Sequence, residues 1–494
     1  MADITTTTIV NTLFGRRTIY TTYDDINRDN IIAAVNNALE YHVQNLLEEE
    51  YLYWYRRNLT PVLERTKAIR PEINNKISEN IAGSIVDFKN GYFLTQPCFY
   101  TARNEAAQDK VSQLNEYLYR SGKQQVDNKV ADWFHTVGKG AIYVQPNDDD
   151  DVPVKVFCLD PRAAFVVYSM NAGNAPVMGV HMVVADGNLH IDAYTRDEVY
   201  RLSGTTTGRF MSPEPTFTAT AVNIDGIEPN ILGKIPIIEY SYNSVNMGAF
   251  EGAVSLLDAI NTAQSNRLDG LEQFIQSLIV TWNCKFEEGT TANNIRQYGM
   301  VNLVASGDNR QDLKILSEQL DQGQTQTLID DLYERVMTTC AMPLVSSGAN
   351  VYDTTGAAVL GSLGWYQADA AARNTEDLFR ESNKQFDEIF IDILKRKNLL
   401  DIKINDFELN FVRNETANIQ AKAQAFQTLM AAGLHPELAA AKSGVSNDPV
   451  ADIQMSEEYI KMRWGDPSKP TAQPTTEIVE SDGFNGENDT GGAA

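Results

Sequence analysis

The chain has 494 residues, 43% hydrophobic and 22% charged, a globular composition too long for one compact core, so two to four structural units are expected. Its 66 acids against 41 bases give a net charge of −25, which disfavours a protein that grips nucleic acid by neutralising phosphates. The acidity is compatible with walls past which DNA slides, or with a plain acidic scaffold.

No stretch approaches the roughly 20 apolar residues that span a bilayer. The threonine-rich segment Met1 to Ile9 lacks the pattern of a secretory signal. Cys98, Cys158, Cys284 and Cys340 lie far apart with no CxxC spacing and read as free thiols of a reducing cytoplasm.

In chain order, Asp25 to Asn58 reads as helix, with Ile31, Val35, Leu39, Val43 and Leu46 at helical spacing and a closing group of Tyr51, Tyr53, Trp54 and Tyr55 that suits packing. Ile73 to Tyr92 predicts a second helix, apolar at Ile77, Ile81, Ile85 and Phe88. Glu105 to about Thr136 predicts a third, interrupted near Ser121-Gly122.

From Gly140 to about Tyr242 the period changes to two. Short strands are expected at Ala141 to Val144, Val154 to Phe157, Ala164 to Tyr168, Val177 to Val184, His190 to Tyr194 and Glu198 to Leu202. Asp148 to Asp151, between the first two, lack the interleaved spacing of a calcium loop and suit a solvated hairpin tip.

Gly252 to Ile279 is the most regular segment, with an apolar stripe through Leu257, Ile260, Leu268, Leu271 and Ile275. Its opposite face carries Asp258, Asn261, Ser265, Asp269 and Glu272. As one helix it would run roughly 40 Å. Short strands near Val280 to Phe286, Met300 to Ala305 and Asp312 to Leu316 precede a helix from Gln322 to Cys340, expected to return antiparallel. After Met342-Pro343 a Ser-, Gly- and Asn-rich loop, Leu344 to Thr355, opens onto a long helical pattern from Gly356 to Lys397. Leu399 to Arg413 reads as strand, and Thr416 to Trp464 as two or three helices with turns at Gly433 and Gly444. Gly465 to Ala494 is too poor in apolar residues to fold.

No catalytic pattern emerges, so the chain is expected not to be an enzyme. There is no GxxxxGK[ST], GxSxG or HExxH, and His42, His135, His181, His190 and His435 are not spaced as metal ligands. Gly138-Lys139-Gly140 precedes a strand instead of turning from strand to helix, so it is no dinucleotide motif. Acid runs such as Glu48 to Glu50 and Asp330-Asp331 are expected on solvated helix faces. No metal or cofactor is implied.

Several motifs, in order, resemble the portal proteins of tailed bacteriophages, SPP1-type branch, from about Asn45 to Trp464. They are Asn74-Asn75-Lys76-Ile77 through Asp87-Phe88-Lys89-Asn90-Gly91-Tyr92, Val137 to Tyr143, and Leu159-Asp160-Pro161-Arg162 with Val166-Val167-Tyr168. Leu256-Leu257-Asp258-Ala259-Ile260-Asn261 and Met342-Pro343 with Thr355-Gly356-Ala357-Ala358 complete the set, Thr355 standing where Ser is usual.

The resemblance implies an α+β, mainly α, portal fold. Residues 1–250 would form a wing, 251–279 a stem helix, 280–321 a clip, 322–341 a second stem helix and 342–355 a tunnel loop. Residues 356–415 would form the wing's long helix and strand, 416–464 a crown and 465–494 a disordered acidic tail. It further implies a homo-oligomeric ring, usually a dodecamer, at the unique capsid vertex of a virion assembled in the host cytoplasm, without contact to membrane. Double-stranded DNA would pass through it non-specifically during terminase-driven genome packaging and again during ejection. Expected partners are the terminase large subunit, a head-completion adaptor of the head-tail connector, and the major capsid and scaffolding proteins.

Tunnel-loop residues would be Ser346, Ser347, Gly348, Ala349, Asn350, Val351 and Tyr352. Channel-facing stem candidates are Asp258, Arg267, Asp269 and Glu272, with a salt bridge to a neighbouring helix as the other reading of Arg267. Twelve copies would carry roughly −300 in charge, which suits sliding and not clamping. Two other readings stay open: another capsid shell or minor head structural protein, and an enzyme, a hydrolase using scattered acids.

Overall fold

The computed structural model describes residues 15–68, 71–94, 96–211, 217–275, 278–282, 284–286, 303–305, 312–316, 322–344, 364–411, 419–446 and a few between 452 and 459. The chain divides into two compact units, Met1–Glu415 and Thr416–Ala494. It is a mixed α+β protein in which helices hold more residues than strands.

The first unit opens with β1 (Ile19–Thr21) and α1 (Ile31–Arg56). A six-stranded sheet in the order β1-β5-β6-β7-β8-β9 is built from β5 (Ala164–Ser169), β6 (Pro176–Ala185), β7 (Asn188–Tyr194), β8 (Glu198–Gly208) and β9 (Phe217–Pro229). All neighbours in it are antiparallel except β1 and β5. Strands β5 to β8 fall where the alternation predicts them; β5 to β7 are one or two residues longer than expected, and β8 runs six residues past Leu202. Ile31, Val35, Leu39 and Leu46 of α1 pack on Val167, Val180, Met182, Ile191 and Leu202 of this sheet. Asn36 of α1 donates to the Ala221 carbonyl (3.0 Å) and accepts from the Ala221 N–H (2.7 Å), so its amide serves as a strand neighbour beside the irregular register of β9.

A second core joins α3 (Gln108–Arg120), α4 (Lys123–Val137) and the sheet β10-β3-β4, made of β3 (Lys139–Pro146), β4 (Val154–Leu159) and β10 (Ile237–Ser241). Gly122 takes φ 71° at the expected break between α3 and α4. The acidic run Asp148 to Asp151 sits exposed at the turn of the β3–β4 hairpin. The two-stranded pair β2 (Phe99–Ala102) with β15 (Phe407–Asn410) and the long α7 (Trp365–Arg396) pack on this core.

Four expectations change. The helix expected from Ile73 starts only at Ile81, as α2 (Ile81–Phe93), where the Asn80 side chain caps the Gly83 N–H at 3.1 Å. Residues before it are extended because their N–H groups are bonded elsewhere, as described below. The strand expected over Leu399 to Arg413 shrinks to β15, since the preceding turn is a short 3-10 segment, Ile404–Asp406. The long helix expected to Ile279 stops short of Leu278, which begins a strand; its described part, α5 (Val254–Ile275), is a rod of about 33 Å. Finally, Glu48, Glu49 and Glu50 are buried, not solvated, because Arg16, Arg17 and Arg162 surround them.

β11 (Leu278–Trp282) pairs antiparallel with β14 (Asp312–Leu316), and β12 (Cys284–Phe286) with β13 (Leu303–Ala305). α6 (Gln322–Thr339) follows. The second unit holds α8 (Ile419–Ala431) and α9 (Pro436–Ser443), with Gly433 and Gly444 at positive φ in the expected turns.

Candidate functional site

The stem candidates all fall on α5, which lies against α6. Gly252 is opposite Thr339, and the Arg267 guanidinium donates to Gln326 Oε1 at 2.6 Å, so the two helices run antiparallel as expected. Leu257 and Ile260 of α5 and Val336 and Met337 of α6 share a core with Leu52, Tyr55, Ile85 and Phe250. That covers the first half of the α5 apolar stripe. Leu268 and Leu271 on its second half, and Leu328 and Tyr333 on α6, remain exposed.

The polar face of α5 behaves in the opposite way. Asn261, Ser265 and Asp269 are 1%, 0% and 3% exposed. Their oxygens accept the N–H groups of Glu79 (2.8 Å), Ile77 (3.0 Å) and Asn75 (2.8 Å), in that order. Four helical residues rise about 6 Å, and two extended residues about 6.7 Å. The two repeats nearly match, so an extended segment running antiparallel to the helix meets one acceptor per two residues. This polar ladder is what keeps 74–79 out of α2.

Asp269 is the most heavily engaged rung. It also accepts from Asn75 Nδ2 at 3.0 Å and pairs with Arg65 (3.3 Å) and with Lys67. Burial alone would raise its pKa, but the bonds from Lys67 and Asn75 outweigh that and hold the carboxyl below its usual range. Asp258 accepts the Tyr55 hydroxyl at 2.8 Å. Asp258 and Asp269 therefore bond within their own chain, and Arg267 donates to the neutral Gln326 of α6. Glu272 is half-buried near the end of α5. The tunnel-loop residues Ser346 to Tyr352 lie outside the described residues.

The start of α5 is fixed by a buried ion cluster. The Arg16 guanidinium donates to Glu251 (2.7 Å) and to the Val137 carbonyl (3.1 Å) and faces Glu48 at 3.2 Å. Beside it Arg162 pairs with Asp160 (2.6 Å) and Glu50 (3.5 Å) and covers the Tyr53 ring at 4.0 Å. Tyr53 in turn stacks on Trp133, so the aromatic group closing α1 serves packing as expected. Sequence reasoning missed Arg16 and Arg162 because the distances along the chain, such as Arg16 to Glu251, leave no periodic signal.

Glu49, deep in this cluster, is pushed up to about 8 by burial. Burial also takes His42 down to about 4 and His135 well below its ordinary value. The His42 Nε2–H donates to the Arg162 carbonyl at 3.0 Å while its ring stacks on Phe165, a packed imidazole. Cys98 is pushed up by burial and donates to Asp127, which opposes nucleophilicity. Among the described residues no group of three His, Cys, Asp or Glu could hold a metal, and no helix is long and apolar enough to cross a membrane. A cavity of about 640 Å³ opens near the end of α6, between Thr339, Asn243, Thr375 and Asp377. Asp377 there already pairs with Arg380 at 2.9 Å.

Leu268, Leu271, Leu328 and Tyr333 thus stand uncovered on the strapped helix pair, and the sequence says to which family the chain belongs. The chain belongs to the family described as phage portal protein, SPP1 Gp6-like, which matches residues 22–463. It is thus a portal protein, a component of a bacteriophage capsid. No curated protein matches the sequence. Among solved structures, a chain of "Neck of native GTA particle computed with C12 symmetry" is similar with a TM-score of 0.41 and 12% identity, over 74% of this chain and 89% of that one.

Proposed function

We propose that copies of this chain close into a ring at the unique capsid vertex. Double-stranded DNA passes in through it during terminase-driven packaging and out during ejection, and head-tail connector proteins dock on it. In this reading α5 and α6 are the stem, the β-paired segments between them belong to the clip, and residues 342–355 line the narrowest part of the channel. The protein performs no catalysis itself; it positions the motor and lets DNA slide.

The observation that carries the ring is the exposure of Leu268, Leu271, Leu328 and Tyr333 on helices whose buried apolar residues already fill a core of their own chain. Apolar side chains at such a place favour a neighbouring subunit over water. The net charge of −25 supports passage without sticking. Because Asp258 and Asp269 are bound internally, the channel-facing charge on α5 narrows to Glu272, with Arg267 held beside Gln326.

The test is a mass measurement and top-view images of the purified protein under capsid-assembly conditions. Closed rings with a countable symmetry, usually twelve, are expected. The double substitution Leu268→Asp with Leu271→Asp should lower ring yield at least tenfold while leaving the fold intact. A stable wild-type monomer under those conditions would overturn the proposal.

A further inference from the structure

Helix α2 touches both ends of the chain segment that lies between α6 and α7. At the departing end, α6 closes with Ala341 N–H bonded to the Thr338 carbonyl (3.1 Å) and Met342 N–H to the Met337 carbonyl (2.8 Å). This is the Schellman pattern, which normally places glycine where Ala341 sits at φ 49°. An alanine there is strained and needs outside support. Lys89 of α2, 6% exposed, supplies it by donating from Nζ to the Ala341 carbonyl at 3.1 Å. Its charge also complements the negative end of the α6 dipole.

At the returning end, Trp365 is the first residue of α7. Its ring lies 6.0 Å from both Phe88 and Tyr92, which stack on each other at 5.7 Å. The two ends also meet: a Cβ built on Gly364 would stand 3.5 Å from the Met342 carbonyl oxygen and 3.8 Å from Pro343 Cα. Gln367 of α7 adds a bond to the Thr338 carbonyl at 3.4 Å.

We propose that Phe88, Lys89 and Tyr92 are positioning residues by which α2 pins the end of α6 to the start of α7. Lys89 fixes where the chain leaves α6, and the Phe88–Tyr92 pair fixes where it enters α7. That this pinning serves DNA passage rests on the reading of residues 342–355 given above.

The test uses Lys89→Met in the assembled protein, with Lys89→Arg as the conservative variant, followed by hydrogen exchange over 337–344 and 364–371 and by DNA content of assembled particles. Lys89→Met is expected to leave ring yield unchanged, to speed exchange at the Met342 amide at least tenfold, and to lower DNA filling severalfold, with Lys89→Arg restoring much of both. Unchanged exchange would overturn the pinning itself. Faster exchange with normal filling would overturn its link to DNA passage while leaving the pin standing. Should Lys89→Met fail to give soluble protein, Tyr92→Leu, which keeps every charge, is read in the same way at residues 364–371. Particles that fill normally with no portal ring present would instead sink the channel reading, and the exchange result would still decide the pin.

Discussion

The carboxylate of Asp269 accepts the backbone N–H of Asn75 at 2.8 Å, the last rung of a ladder that runs from Asn261 through Ser265 along one side of α5. The segment 74–79 has no strand neighbour, so α5 side chains take the place of one. The helix thereby carries its own strap on a face that pattern alone assigns to solvent.

Replacing Asp269 by Ala should free that strap. The substitution leaves the Asn75 N–H without its acceptor and the Lys67 and Arg65 cations without their shared anion, a loss of about 3 kcal/mol. Hydrogen exchange should quicken at Asn75 more than at Ile77 and Glu79, which keep Ser265 and Asn261. Equal exchange at all three amides, unchanged from wild type, would contradict the ladder.

Glu49 gives the fold a built-in sensitivity to alkali. Its folded pKa of about 8 lies above the unfolded value near 4.5, so the folded state holds a proton that the unfolded state releases. The associated stability is complete below about pH 4.5 and is lost as pH rises through about 8. Glu49→Gln removes the titration. It should match wild type in acid and exceed it at pH 9 by a few kcal/mol, on the order of the shift. Thermal unfolding of both proteins at pH 5 and pH 9 checks this; parallel falls in Tm would refute it.

Gly138 closes α4 at φ 92°, and a Cβ there would lie 2.0 Å from the Asn246 carbonyl oxygen. Gly138→Ala should therefore cost about 3 kcal/mol, combining the left-handed backbone with a clash against main chain. Gly187 also has positive φ (78°) but meets nothing within 4 Å, so Gly187→Asn should be nearly neutral. Denaturant midpoints of the two variants make the comparison, and equal losses would show that space at Gly138 does not matter.

Much of the fold is legible in the residues. The alternation from Gly140 onward marks β3 to β8, and Ser121-Gly122 marks the break between α3 and α4. Local pattern suffices there because each strand or turn satisfies most of its needs from neighbours in sequence. The site is less legible. Ile77 and Ile81 fit a helical stripe, yet only Ile81 is in a helix, because Ser265 holds the Ile77 N–H. Glu48 to Glu50 look like a solvated run until Arg16 and Arg162 arrive from 32 and more than 100 residues away.

The order of residues determined, by itself, the family, the alternation of helices and strands, and the antiparallel return of α6 on α5, since periodicity and turn chemistry are local properties. Only the tertiary structure decided which face of α5 is buried, and that Lys89 reaches Ala341 while Phe88 and Tyr92 hold Trp365. Those outcomes depend on hydrogen bonds and ring contacts between residues 182 to 277 positions apart, and partners so distant leave no trace in any one stretch of chain.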